Sequence, residues 1–176
     1  MTDPFSILGL PRTFDIDTGA VRRAYLARSS EVHPDLAAGD PEAARGMAAL
    51  NDARAVLENP EKRANALLAL LGGPRSDQDR SLPEGFLFEI METRQEIEGA
   101  VKEGRPKERG RWERWAEEQR RAATEEVSRL FSGLSSPPGA GELGAIRTRL
   151  NAWRYIERLI EQLDPGFGPA SADGQA

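Results

Sequence analysis

The 176-residue chain contains one histidine, His33, followed directly by Pro34 and Asp35. An imidazole close to a carboxylate can ligate a metal, carry a proton or orient a nucleophile. Zinc and iron sites need three or four protein ligands, usually His, Cys or carboxylate. Here there is a single His, no Cys, and neither an HExxH pattern nor paired ExxH spacing. The remaining ligands would all have to be carboxylates, so no metal is expected, and no iron–sulfur cluster held by this chain's own thiolates. Nucleophilic catalysis needs a positioned nucleophile and an orienting acid. The sequence offers no nucleophile elbow and no Gly-rich phosphate loop. No catalytic residue is therefore assigned, no cofactor is implied, and the chain is not expected to be an enzyme. Taken alone, His33-Pro34-Asp35 is an ordinary loop. Pro34 disfavours helical geometry at His33, so a preceding helix must end about there.

The rest of the composition narrows the partners. Hydrophobic residues make up 39% of the chain and charged residues 30%, which suits long surface helices more than a thick sheet. Lys plus Arg is 24 against 29 Asp plus Glu. Nucleic-acid binding favours the opposite balance, gathered on one face, so no nucleic-acid partner is expected. No run approaches the roughly 18 apolar residues of a membrane span, and the N-terminal apolar run is too short for a signal peptide. The absence of cysteine fits a reducing compartment, and a cytoplasmic location is the expectation.

Strand signals are nearly absent and helical periodicity dominates. A short turn or helix is expected around Phe5 to Leu10. The next helix starts at Asp17 or Thr18 as N-cap, with Val21, Ala24, Tyr25 and Val32 on one face and Arg22 and Arg23 elsewhere. After the His-Pro-Asp loop, Asp40-Pro41 is the favoured start pair of a long helix, and Asn59-Pro60 repeats that device. The helix it opens ends at Gly72. Residues 72 to 83, "GGPRSDQDRSLP", are polar and rich in helix breakers and read as a linker. Three further helices follow, over residues 84 to about 103, about 106 to 132, and 142 to 163. The second carries Trp112, Trp115, Gln119, Ala122, Val127 and Leu130 at helical steps, and the third places Leu143, Ile146, Leu150, Trp153 and Ile160 on one stripe. This is the pattern of a three-helix bundle. The three tryptophans belong to its core, and the Arg- and Glu-rich stretch around them to a salt-bridged surface. The tail from residue 165 is expected to be disordered.

The context of the tripeptide resembles the J-domain of the DnaJ family: a helix with surface arginines, then His33-Pro34-Asp35, then a long helix. That resemblance implies a loop that docks on a DnaK-type chaperone and triggers its ATP hydrolysis, with Arg22, Arg23 and Arg28 as the basic docking face. Four further stretches resemble the HscB (Jac-type) iron–sulfur co-chaperones in order and spacing: "FSILGLPRTFDID", "LNDARAVLENPEKRANALLALLGG", "FLFEIMETRQEIE" and "LNAWRYIERLIEQL". The resemblance covers roughly residues 4 to 163 and is weakest between about 105 and 141. It implies an all-α, L-shaped molecule: a J-domain over residues 1–75, a linker over 76–83 and a three-helix bundle over 84–164. It also implies two partners, an HscA- or DnaK-type ATPase and an iron–sulfur cluster scaffold protein. The departures are those of a divergent bacterial member. Leu36 stands where many J-domains have lysine, Ala66 where an aromatic residue is usual, Phe88 for the common Met, Gln95 for Glu and Tyr155 for Phe. Two rival readings are a J-domain co-chaperone for another client and a helical interaction module with a degenerate J-domain.

Helix angles give a separate argument for a second surface. On the first bundle helix, Phe86, Ile90, Ile97 and Val101 share a stripe at 100° per residue. Leu87, Phe88 and Met91 point away from it, with Glu92 at their border, and Tyr155 lies opposite the apolar stripe of its own helix. A helix in a small bundle needs only one apolar face. The extra group either packs on the J-domain, with Phe88 the residue most suited to face it, or forms an exposed patch for a partner. In the resembled family these positions hold the iron–sulfur scaffold, which implies Leu87, Phe88, Met91, Glu92, Gln95 and Tyr155 as the contact set.

Overall fold

The computed structural model describes residues 3–31, 41–103 and 106–163, with side chains except those of residues 100–109. All regular elements among them are helices: α1 (Pro4–Leu8), α2 (Thr18–Glu31), α3 (Pro41–Glu58), α4 (Pro60–Leu70), α5 (Phe86–Glu103), α6 (Pro106–Ser132) and α7 (Ala140–Leu163). His33, Pro34, Asp35, Leu36, Val32, the expected cap Asp40 and the tail from residue 165 lie outside the described residues.

The helix starts follow local chemistry. Asp3 caps α1, its carboxylate accepting from the Phe5 amide, with Pro4 in the first turn. Asp17 caps α2 by accepting from the amides of Gly19 and Ala20, both at 3.0 Å. Asn59 caps α4 through the Lys62 amide at 2.9 Å, again followed by proline. α1 ends at Gly9, whose φ of 66° is left-handed and costs a glycine nothing.

The two halves of the chain share one core. Phe5, Leu8, Phe14, Val21, Leu50, Leu57, Ala64 and Leu68 pack into the same apolar cluster as Val127, Leu143, Ile146, Leu150 and Trp153. Polar bonds cross the same boundary. Ser128 donates to Asp15 at 2.7 Å, and Arg147 donates to the Asn65 side chain at 2.8 Å. Phe14 and Phe131 stack with ring centroids 5.6 Å apart. The stretch expected to be a linker is also tied down: the Asn151 amide group donates to the carbonyls of Asp79 and Ser81, each at 3.0 Å.

A second, smaller cluster closes the far end of the bundle, from Ile90, Ile97, Trp112, Ala116, Ile156, Leu159 and Ile160. Trp112 and Trp153 are buried as expected, and Trp115 packs edge-on to Trp112 at 5.8 Å. On α6 the expected stripe needs a correction at one position. Ala122 is exposed, and Ala123 turns toward the core instead, about two turns after the buried Ala116. The Arg- and Glu-rich surface carries ion pairs, most closely Arg120 to Glu157 at 2.8 Å. Ala66, with Ile7, Ala53 and Ala69, lines a groove of about 450 Å³ between α1, α3 and α4. A small side chain there leaves room that a larger one would fill.

Candidate functional sites on the two halves

Helices α2 and α3 flank the segment of sequence that contains His33-Pro34-Asp35. The two arms of this helical hairpin are held in fixed relation. Val21 is fully buried, and the Tyr25 hydroxyl donates to the Asn51 side chain at 2.8 Å across the pair. Arg54 covers the Tyr25 ring at 4.9 Å and pairs with Glu58 at 2.9 Å. Arg63, only 5% exposed, locks the base of the hairpin. Its Nε donates to the Phe14 carbonyl at 2.8 Å, its Nη1 donates to the Leu57 carbonyl, and its guanidinium lies 5.1 Å from the centre of the Phe14 ring. A buried cation with two carbonyl acceptors thus fixes where α2 enters relative to where α3 ends. Burial pushes the Arg63 guanidinium toward a lower pKa.

Arg22, Arg23 and Arg28 all stand exposed on α2. Arg23 pairs with its own cap, Asp17, at 3.4 Å, and Arg28 pairs with Glu31 at 3.7 Å. Such exposed pairs are weak and yield readily to a partner's carboxylate. Backbone and side-chain hydrogen bonds together hold the Asp17 carboxyl below its ordinary pKa. Leu26 was not singled out in the sequence, yet it is 59% exposed one turn after Arg22. Its signal was available: it lies about 100° from Tyr25, off the stripe of Val21, Ala24 and Tyr25.

On the bundle, α5 begins after Gly85, whose carbonyl accepts from the amides of Phe88 and Glu89. Its inward face carries Ile90 and Ile97, with Phe86 half-buried. Its outward face carries Leu87, Phe88 and Met91, which are 49%, 69% and 56% exposed, and none of the three packs against either core cluster. The alternative in which this group packs on the J-domain, with Phe88 facing it, is therefore corrected. The N-terminal half sits against α6 and α7 through a different surface, and among the described residues Phe88 joins neither core cluster. Glu92 and Gln95 are exposed on the same outward side. Tyr155 is 40% exposed on α7 and meets Phe86, the residue before Leu87, edge-on at 6.2 Å. Val101 lies among the side chains outside the described set. Among the described residues, no group of three or more His, Asp or Glu side chains could hold a metal ion, and no helix is long and apolar enough to cross a membrane.

Both halves of the chain are similar to known proteins. The family model described as the DnaJ domain matches residues 3–66, and the one described as the HSCB C-terminal oligomerisation domain matches residues 82–164. A protein of Azoarcus sp. (strain BH72) named as a co-chaperone protein HscB homolog is 32% identical over 170 residues, covering 92% of each chain. The similarly named protein of Ralstonia nicotianae is 35% identical over 106 residues, which span 57% of this chain and 60% of that one. Among solved structures, the chaperone HscB from Vibrio cholerae has a TM-score of 0.74 at 22% identity, covering 92% of this chain and 95% of that one. The human co-chaperone protein HscB has a TM-score of 0.75 at 23% identity, covering 93% and 81%. At those identities the structures speak for the fold.

Proposed function

The chain belongs to the HscB co-chaperone family, and from that premise we propose that it stimulates ATP hydrolysis by a DnaK-type chaperone and delivers an iron–sulfur cluster scaffold protein to it. The observation that carries this reading is the collinear similarity of both halves to one relative, 32% identical over 92% of each chain. A J-domain serving an unrelated client would give no reason for the second half to match as well.

Residues 1–75 are the half that engages the chaperone. His33, Pro34 and Asp35, between α2 and α3 in sequence, act as the trigger, and Arg22, Arg23 and Arg28 supply the positive face. The phosphoryl transfer belongs to the chaperone, where positioning and electrostatics govern the rate. This chain contributes contacts that favour the hydrolysis-competent state, and no proton transfer from His33 is required. An HscA-type chaperone is the finer assignment. Residues 84–164 present the scaffold on Leu87, Phe88, Met91, Glu92, Gln95 and Tyr155. Met and aromatic side chains make adaptable protein contacts, which supports an interface at this patch.

The shared core adds a physical reason for having both surfaces on one chain. A flexible tether raises local concentration only over the volume it can sweep. Here the halves are joined by apolar packing and by the Ser128–Asp15 and Arg147–Asn65 hydrogen bonds, so the α5 patch is held at a fixed offset from helices α2 and α3. The test is His33→Gln in a steady-state chaperone ATPase assay. Stimulation is expected to disappear while the melting temperature and scaffold affinity stay at their wild-type values. Normal stimulation by the variant would refute the mechanism.

A further inference from the structure

Beside Tyr155, where α4, the 72–85 connection and α7 meet, lies a cleft of about 600 Å³ whose charged lining is Arg80, Arg147, Arg154, Arg158 and Glu61. Four guanidiniums and one carboxylate line it, with Asp79 near Arg147 and Glu157 and Glu161 near Glu61, in a chain whose net charge is −5. Like charges gather this way at a cost unless something neutralises them. Neutralisation from within is incomplete. Arg154 pairs with Glu161 at 3.0 Å and with Glu61 at 3.8 Å. Arg80 and Arg158 have no carboxylate partner among the described residues, and Arg158 only approaches the Tyr155 ring, at 6.0 Å. Arg147 is 4% exposed, and its Nε is buried with no hydrogen-bond partner among the described residues. Burial works against the charge of Arg147 and against that of Glu61, whose pKa it raises despite the arginines nearby.

The layout selects among anions. Arg147, Arg154 and Arg158 follow the spacing i, i+7, i+11 along α7, which spreads their backbone origins over about 16 Å of helix axis. Arg80 joins them from the connection. A single phosphate would satisfy one or two of these guanidiniums. An extended chain with several carboxylates can reach all of them, each planar fork taking a carboxylate through paired hydrogen bonds. The cleft is also continuous with the proposed scaffold surface, since Tyr155 belongs to both.

We propose that this cleft binds an acidic peptide segment of the protein that docks on Leu87, Phe88 and Met91. The inference rests on the scaffold-binding reading above, which supplies the partner. The apolar patch gives that partner its contact area, and the arginines fix its orientation and make the complex salt-sensitive.

Arg80→Ala/Arg158→Ala in the full chain removes two exposed guanidiniums that have no carboxylate partner among the described residues, so the melting temperature should scarcely move. Two titrations decide. In the first, the iron–sulfur scaffold protein is titrated at about 50 mM and about 500 mM salt. The double variant should weaken binding about tenfold at low salt and much less at high salt, with a shallower salt dependence, while Leu87→Ala/Met91→Ala should weaken binding equally at both. In the second, hexaglutamate and inorganic pyrophosphate are titrated against the wild type and the double variant. Hexaglutamate should bind the wild type and lose about tenfold in the variant, with pyrophosphate weaker than either. Hexaglutamate binding that the variant leaves unchanged, or tighter binding of pyrophosphate, would overturn the proposal. Scaffold affinity and salt dependence unchanged in the arginine variant but lost in Leu87→Ala/Met91→Ala would also overturn it and leave the apolar patch standing. Failure of the wild type to bind the scaffold would sink the functional reading instead, and the hexaglutamate titration would still decide the cleft.

Discussion

Leu87→Ala combined with Met91→Ala separates binding from folding more cleanly than any other change on α5. Full burial of a Leu or Met side chain is worth about 1.5–3 kcal/mol. Leu87 and Met91 are 49% and 56% exposed, so about half of each remains to be covered by a partner. That gives about 1 kcal/mol per residue and about 2 kcal/mol for the pair, or a dissociation constant raised about thirtyfold. Folding should scarcely respond, because neither side chain packs against a core cluster and substitutions at such sites stay within about 0.5 kcal/mol. The contrast is Ile97→Ala on the opposite face, where the side chain is 1% exposed. Its truncation should cost about 2–5 kcal/mol, lowering the melting temperature by roughly 5–15 °C. Isothermal titration of the scaffold protein, with thermal unfolding of the same samples, reads both quantities. Wild-type affinity in a folded Leu87→Ala/Met91→Ala variant would refute the assignment of this face. A large drop in its melting temperature would refute the claim that these side chains face solvent.

Two further outcomes follow from buried charge. Arg63→Met leaves the carbonyls of Phe14 and Leu57 without their donor, and each unmet buried acceptor costs about 1–3 kcal/mol. Chemical denaturation should show a loss of about 2–5 kcal/mol, and a loss below about 1 kcal/mol would mean that the guanidinium does not hold the hairpin base. Glu61 has its pKa raised above 4.5, chiefly by burial, so the folded chain holds this proton more tightly than the unfolded chain. Its contribution to stability is complete below the unfolded value and is lost as pH rises through the higher folded value. Gln mimics the protonated form, so the melting temperature of Glu61→Gln minus that of the wild type should grow as pH rises from about 4 to about 8. A difference that shrinks over that range would contradict the burial.

Much of the architecture was legible because helices announce themselves locally. Proline after Asn59, and the stripe Leu143, Ile146, Leu150, Trp153, fix ends and inward faces without reference to a neighbour. Periodicity sees one helix at a time, and the misses come from that. The α7 stripe reads as bundle core, yet Ile146 and Leu150 also close the core built by α1, α3 and α4. The polar composition of residues 72–83 suggests a free linker, while Asn151, 70 residues further on, holds its carbonyls. An excised segment from residue 76 onward would expose apolar surface that the intact chain buries, so the intact chain is the form to assay. Nothing in the sequence singles out Arg63 or Arg147, since charged side chains are usually exposed, and only the tertiary fold shows them buried. On α5 the pattern did reveal an extra apolar face, but not whether the other half of the chain covered it.

The central claim is that one rigid chain carries both the chaperone trigger and the client surface, and complementation in trans tests it most directly. His33→Gln keeps the client surface and lacks the trigger, whereas Leu87→Ala/Met91→Ala keeps the trigger and lacks the client surface. Chaperone ATPase is measured with the scaffold protein present at limiting concentration. The account predicts strong stimulation by the wild type, and an equimolar mixture of the two variants that does no better than Leu87→Ala/Met91→Ala alone. Stimulation by the mixture equal to that of the wild type would contradict it, because the two surfaces would then work without being joined.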